Sequence, residues 1–295
     1  MTGVVVGVNG SAESEQALDW ALAEAASRGV PLTAVMAWHP GNRAPEPAQY
    51  AQFVERKREE ALTILDLALR RTGISVPAQA QLAEGPAADA LLAAQDEADL
   101  LVLGRRGLGR VGRLVLGSVS STVVEHATRP VTVVRSTHKT ASDAGGSPAE
   151  AAPPRVVVGV DTSPPSIAAL HHGAEVADRL GGVLEVVFAW QITTLAPLPG
   201  SWGWAPPLDD YEKFAVGALD ASVAQAGLPL PDERVVRRVL HDHPAAALLE
   251  ASVGADRVVV GNRGLGGFDR LLLGSVSRQV LEYATCPVTV VRAVG

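Results

Sequence analysis

The chain has 295 residues, of which 47% are hydrophobic and only 4% aromatic, which leaves room for two domains with cores of Val, Leu and Ala. A formal net charge of −7 without any long run of Lys or Arg excludes an extended nucleic-acid interface, which needs a basic face to displace phosphate counterions. A single cysteine excludes an internal disulfide, and no apolar stretch is long enough to be a bilayer-spanning helix.

In chain order, Val4 to Val8 is a short apolar run suited to a central parallel strand. Ser11 caps an expected helix from about Ala12 to Arg28, with Ala17, Leu18, Ala21, Leu22 and Ala25 at helical spacing, and Gly29 ends it. Val30 to Trp38 reads as a second strand, His39 to Gln49 as a loop, and Tyr50 to about Arg71 as an amphipathic helix closed by Gly73. A third strand is expected over Val76 to Leu82, a helix from Pro86 to about Gln95, and a fourth strand over Leu100 to Leu103. A glycine-rich loop, a helix from Ser118 to Ala127 and a strand from Val131 to Val134 complete the unit. Strands alternating with helices predict a doubly wound parallel α/β sheet.

Ser136 to Pro154 lacks periodicity and reads as a flexible linker, dividing the chain into domain 1 (residues 1–136), linker (137–153) and domain 2 (154–295). Domain 2 repeats domain 1. Val156 to Ser163 matches Val4 to Ser11 at an offset of 152, and Trp190 falls on Trp38. At the glycine loops the offset is 157, so about five residues are inserted between, most simply in the Trp- and Pro-rich loop Ile192 to Leu208. Cys286, beside Pro287 at the head of the last strand, reads as a buried structural thiol. Met1-Thr2-Gly3 run into Val4 without a signal-peptide flank, so a cytoplasmic protein is expected, with no membrane or nucleic-acid partner.

The repeated feature that carries chemistry is Gly104-x-x-Gly107, nine residues, Gly117-Ser118, matched by Gly261-x-x-Gly264, nine residues, Gly274-Ser275. Both follow a fourth strand and enter a helix, at the carboxyl ends of strands where open sheets bind ligands. The glycines are expected to let the backbone approach phosphate oxygens and to adopt positive φ, while Ser118 and Ser275 mark unpaired helix N–H groups and Ser120 and Ser277 offer hydroxyl donors. Asn9 and Asp161 end the first strand of each domain, and if the first and fourth strands are neighbours across the switch point, they face the same crevice as the glycine loops. Gly107 to Gly112 fits GxGxxG in letters, but it follows the fourth strand and Asp269 replaces its last glycine in the second copy. A Walker A loop requires a lysine that neither segment contains, which favours binding over fast hydrolysis. Arg106, Arg113, Arg263 and Arg270 are further phosphate candidates, against ordinary surface pairing. His241-Asp242-His243 offers two metal ligands without an evident third and reads as a solvated loop.

At VVVGVNGS, VVVGVDTS, the two G-x2-G-x9-GS loops and the closing PVTVVR segments, the chain resembles the universal stress protein family in its tandem form. That resemblance implies two five-stranded parallel sheets of order 3-2-1-4-5, the adenine nucleotide alpha-hydrolase-like arrangement. It implies ATP, with Mg2+ allowed beside it, held in domain 1 by Gly104, Gly107, Gly117, Ser118, Val119 and Ser120 and in domain 2 by Gly261, Gly264, Gly274, Ser275, Val276 and Ser277. Asp161 would contact the nucleoside, and the backbone of Ala37 and Ala189 would read the adenine edge. It further implies domains paired through their last strands, a homodimer, and a stress-response role exercised through an unknown protein partner. Rival readings are a structural dimer that binds no nucleotide, and a weak ATPase. Asn9 departs from the pattern, because it stands where an aspartate is usual and lacks the charge that strengthens an acceptor. Domain 1 should therefore bind more weakly. Isothermal titration of Asp161→Ala is expected to lose the tighter of two sites and that of Asn9→Ala the weaker; loss of the tighter site in Asn9→Ala would reverse the ranking.

Overall fold

A computed structural model describes residues 2–39, 47–105, 116–135, 152–191, 208–265 and 272–293. The chain divides into two compact units, residues 1–137 and 138–295. Unit 1 contains β1 (Gly3–Gly7), α1 (Ala12–Arg28), β2 (Leu32–Trp38), α2 (Pro47–Thr72), β3 (Ala78–Glu84), α3 (Ala87–Ala93), β4 (Ala98–Gly104), α4 (Ser118–His126) and β5 (Val131–Val134). Its sheet runs β3-β2-β1-β4-β5, and every pairing is parallel.

Unit 2 contains β6 (Arg155–Val160), α5 (Pro164–Arg179), β7 (Val183–Trp190), α6 (Leu208–Ala226), β8 (Val235–His241), α7 (Pro244–Ala251), β9 (Arg257–Gly261), α8 (Ser275–Tyr283) and β10 (Val288–Val291). Its strands run β8-β7-β6-β9-β10, again all parallel. Each unit thus has the order 3-2-1-4-5. Linker residues 137–151 and the Trp- and Pro-rich segment 192–207 lie outside the described residues.

Alternation along the buried strands sorts side chains to the two helical layers. Val4 and Val6 pack with Leu18, Leu22, Ala61 and Leu65 of α1 and α2. Gly7, two residues beyond Val5, faces Leu91 of α3 and Leu103. In unit 2, Val156 and Val158 pack with Leu170, Ala174 and Leu219 of α5 and α6. Cys286 is a buried free thiol.

Local chemistry sets the boundaries. Ser11 accepts from Ser14 N–H and caps α1, and Ser163 does the same for α5 through Ser166. Gly29, at φ 65°, ends α1 with Gly29 N–H on Ala26 and Val30 N–H on Ala25, a Schellman arrangement. That use of Val30 moves the start of β2 to Leu32, later than the apolar run suggests. Strand β3 likewise begins only after Pro77, which lacks an N–H for the ladder, and it extends to Glu84 opposite Trp38. Helix α2 starts at Pro47, earlier than expected, and α3 ends at Ala93 in a 3-10 turn, Ala94–Glu97.

Close approach explains two glycines of the repeated motif. A Cβ on Gly104 would lie 2.6 Å from Glu13 O, and one on Gly261 2.8 Å from the Pro165 carbonyl carbon. The fourth strand of each unit therefore lies close against the first turn of its first helix, on the Glu13 and Ser14 backbone in unit 1 and on the Pro165 backbone and Cβ in unit 2. Gly104→Ala and Gly261→Ala are each expected to lower stability by about 1–3 kcal/mol through overpacking, read as a lower urea midpoint.

Candidate functional site

The two units build the same junction at the carboxyl end of their fourth strand. In unit 2, Asn262 N–H donates to Val291 O at 2.8 Å and Gly274 N–H to Asn262 O at 2.8 Å, so the glycine segment leaves and rejoins the sheet at one point. Asn262, 3% exposed, also donates from Nδ2 to Leu272 O at 3.3 Å. In unit 1, Arg105 N–H donates to Val134 O at 3.2 Å and Gly117 N–H to Arg105 O at 2.9 Å. Loop residues 106–115 and 266–271, with Gly107, Arg106, Arg113 and Arg270, fall outside the described residues.

Among the described residues, no side chain caps the N-terminus of the helix after each loop. Gly117 and Gly274 are the N-cap residues of α4 and α8, and neither helix has a side-chain cap bond. Ser118, Val119 and Ser120 occupy the first turn of α4, and Ser275, Val276 and Ser277 that of α8. Their N–H groups precede the first intrahelical donors, Ser121 on Gly117 O and Arg278 on Gly274 O. An uncapped end of this kind concentrates N–H dipoles and favours an anion.

Two expectations about these residues change. The hydroxyls of Ser120 and Ser277 are buried and donate to Gly104 O at 2.8 Å and Gly261 O at 2.6 Å. They anchor the helix start to the strand end, so the proton expected for a ligand is already committed. The described motif glycines also have no positive φ: Gly117 and Gly274 sit at −65° and −71°, and Gly104, Gly261 and Gly264 are absent from the left-handed set. Their lack of a side chain serves close contact and an open cap, not an unusual turn.

In unit 2 these parts border a cleft of about 500 Å³. Its walls include Val160, Val187, Leu248 and Val260, and its polar edge Asp161, Arg263 and Ser275. Ala189, Gly261, Gly264, Gly274, Val276 and Ser277 line it as well. An apolar chamber with a few convergent polar groups is the usual form of a small-molecule site. The apolar wall went unremarked in the sequence, although the alternation of β6 and β7 carries it. Arg292, next to the end of β10, has its guanidinium pKa lowered by burial first and by the charge of Arg263 second.

Asp161 closes one side of the cleft. Its Oδ1 accepts from Ser163 N–H at 3.1 Å and Ser163 Oγ at 2.5 Å, and its Oδ2 accepts from Leu265 N–H at 3.0 Å. A Cβ on Gly264 would collide with that same Oδ2. In unit 1, Asn9 is exposed, and its Oδ1 accepts from Ser11 N–H at 3.0 Å. Ala37 lies near the end of β2, paired with Ala83. The residue after Asp161, Thr162, takes φ 69° where unit 1 has Gly10 at 74°.

His241 and His243 do not converge. His241 stacks on Trp190 at 4.2 Å between centroids, while His243 Nδ1 accepts from Ala245 N–H at 3.2 Å and caps α7. Among the described residues no group of three or more His, Cys, Asp or Glu is placed to hold a metal ion.

The profile of the universal stress protein family matches residues 1–135 and 154–292. The chain belongs to the universal stress protein family. A universal stress protein of Mycolicibacterium smegmatis is 33% identical over 303 residues, covering 98% of this chain and 97% of that protein. A universal stress protein of Mycobacterium tuberculosis is 35% identical over 302 residues, with 98% and 97% covered. The crystal structure of a universal stress protein from Archaeoglobus fulgidus aligns with a TM-score of 0.67 at 20% identity, over 99% of this chain and 96% of that one, a likeness of fold. Among the described residues no helix is long and apolar enough to cross a membrane.

Gly274 offers a direct probe of the open helix end in this universal stress protein. Its φ of −71° and ψ of 157° suit a capping aspartate, and a Cβ there meets nothing closer than 3.4 Å. Gly274→Asp is expected to change stability by only a few tenths of a kcal/mol, about 0.5 at most. Its carboxylate should weaken binding of tripolyphosphate by about tenfold or more. Calorimetry checks the second effect and urea unfolding the first.

Proposed function

We propose that each domain binds one adenine nucleotide, ATP in the first instance, and that occupancy makes the protein a regulatory module of the stress response. The observation that carries this reading is the uncapped N-terminus of α8 opening on an apolar cleft of about 500 Å³. The first-turn N–H groups suit phosphate oxygens, and Val187, Leu248 and the Ala189 segment suit a base. Gly104, Gly117 and the first turn of α4 would serve the same role in domain 1, with Asn9 in place of Asp161.

Turnover in this reading is slow or absent, because neither glycine segment contains a lysine to stabilise a transferring phosphoryl group. Mg2+ accompanies the nucleotide as its counter-ion in this reading. A cytoplasmic location, a homodimer and an unidentified protein that reads the occupied state belong to the same proposal.

Mass spectrometry of nucleotide released from the purified, denatured protein is expected to find adenine nucleotide, and a steady-state phosphate assay is expected to find negligible turnover. No released nucleotide together with no calorimetric ATP binding would overturn the binding claim. Rapid phosphate release without a partner would overturn the regulatory one.

A further inference from the structure

We infer that Asp161 is a positioning residue that fixes the start of the glycine loop of domain 2, at Leu265, before any ligand arrives, and that Asn9, at the matching position of domain 1, lacks the second acceptor such a tether needs. The carboxylate bridges two segments 104 residues apart in sequence: Oδ1 holds the turn that starts α5, through Ser163, and Oδ2 holds the loop, through Leu265 N–H at 3.0 Å. Leu265 itself is exposed, with 71% of its surface accessible, so its side chain does little to hold this part of the loop by packing. The backbone contact to Asp161 tethers it, beside a longer bond from Ser163 Oγ to Arg263 O at 3.5 Å. Gly264 has to lack a side chain for the carboxylate to reach that position.

The chemistry of the bridge requires two acceptors on one side chain. An ionised aspartate has them, whereas an asparagine has one oxygen and an NH2 group that only donates. Domain 1 shows how the single oxygen is used, because Asn9 Oδ1 accepts from Ser11 N–H at 3.0 Å, as Asp161 Oδ1 does from Ser163 N–H at 3.1 Å. What remains on Asn9 is a donor, which cannot accept from a second N–H. Asp161 therefore brings a second acceptor to the start of the domain 2 loop, which Asn9 does not offer. Domain 2 meets its ligand with Leu265 already tethered, and less ordering of that residue remains to be done on binding.

This inference rests on the proposed nucleotide site for its consequence in affinity, but the tether is testable without a ligand. Asp161→Asn keeps the shape of the side chain and turns Oδ2 into a donor. Amide hydrogen exchange of the full-length, ligand-free protein, followed at Leu265 by NMR, is expected to accelerate about tenfold or more, the range for losing a hydrogen bond to a charged group. Amides of β6 and β7 should keep their protection, which separates release of the loop from loss of the fold. Gly264→Ala, which displaces the carboxylate from the other side, should accelerate Leu265 as well and add little in the Asp161→Asn background. With ATP as the probe, Asp161→Asn should weaken domain 2 and Asn9→Asp should strengthen domain 1. Unchanged exchange at Leu265 in Asp161→Asn would overturn the inference, even with weaker ATP binding, because Asp161 would then act on the ligand alone. If the wild-type protein binds no ATP while Asp161→Asn still releases Leu265, the tether stands and the nucleotide reading falls.

Discussion

Helix α8 begins at a glycine that has no side chain to cap it, and the surroundings of the cleft in domain 2 hold that open end in place. Free N–H groups at a helix start normally recruit a neighbouring side-chain oxygen, as Ser11 does for α1 and Ser163 for α5. At α8 no side-chain cap bond is seen among the described residues, and the neighbouring polar groups make other bonds. Ser277 Oγ donates to Gly261 O, Asn262 O accepts from Gly274 N–H, and Asp161 bonds Ser163 and Leu265. The helix end is thus fixed against β9 without being neutralised, which preserves its dipole for an incoming anion.

The same constraint orders the rest of the domain. To bring α8 to the end of β9, the loop must leave and return at Asn262, and β9 must lie against the first turn of α5 through Gly261. The first strand then delivers Asp161 to the loop. Domain 1 repeats the strand, the serine anchor and the glycine cap at Gly104, Ser120 and Gly117. It differs, among other positions, in carrying Asn9, which offers fewer acceptors than Asp161.

Much of this was legible in the sequence, for identifiable reasons. Buried parallel strands demand runs such as Val4 to Val6 and Val156 to Val158, serine caps mark helix starts, and Gly29 marks a stop. The repeat located both glycine segments and their helices. Less legible was why each residue is there. Gly104 and Gly261 make room for close contacts with Glu13 and Pro165, far away in sequence, and Ser120 and Ser277 point their protons back at the strand. Likewise, the bond from Leu265 to Asp161 joins residues 104 apart. Such long-range contacts leave no periodicity. The starts of β2 and β3 shifted because Val30 is used by a helix cap and Pro77 cannot donate, effects that an apolar run does not reveal.

The central claim is that the first turn of α8 receives the phosphates of a bound nucleotide. Amide chemical-shift mapping of the isotopically labelled protein during an ATP titration tests it most directly. The account predicts that the largest shifts in domain 2 fall on Ser275, Val276 and Ser277, in the presence of saturable binding. Saturable binding with those three amides unmoved would contradict it.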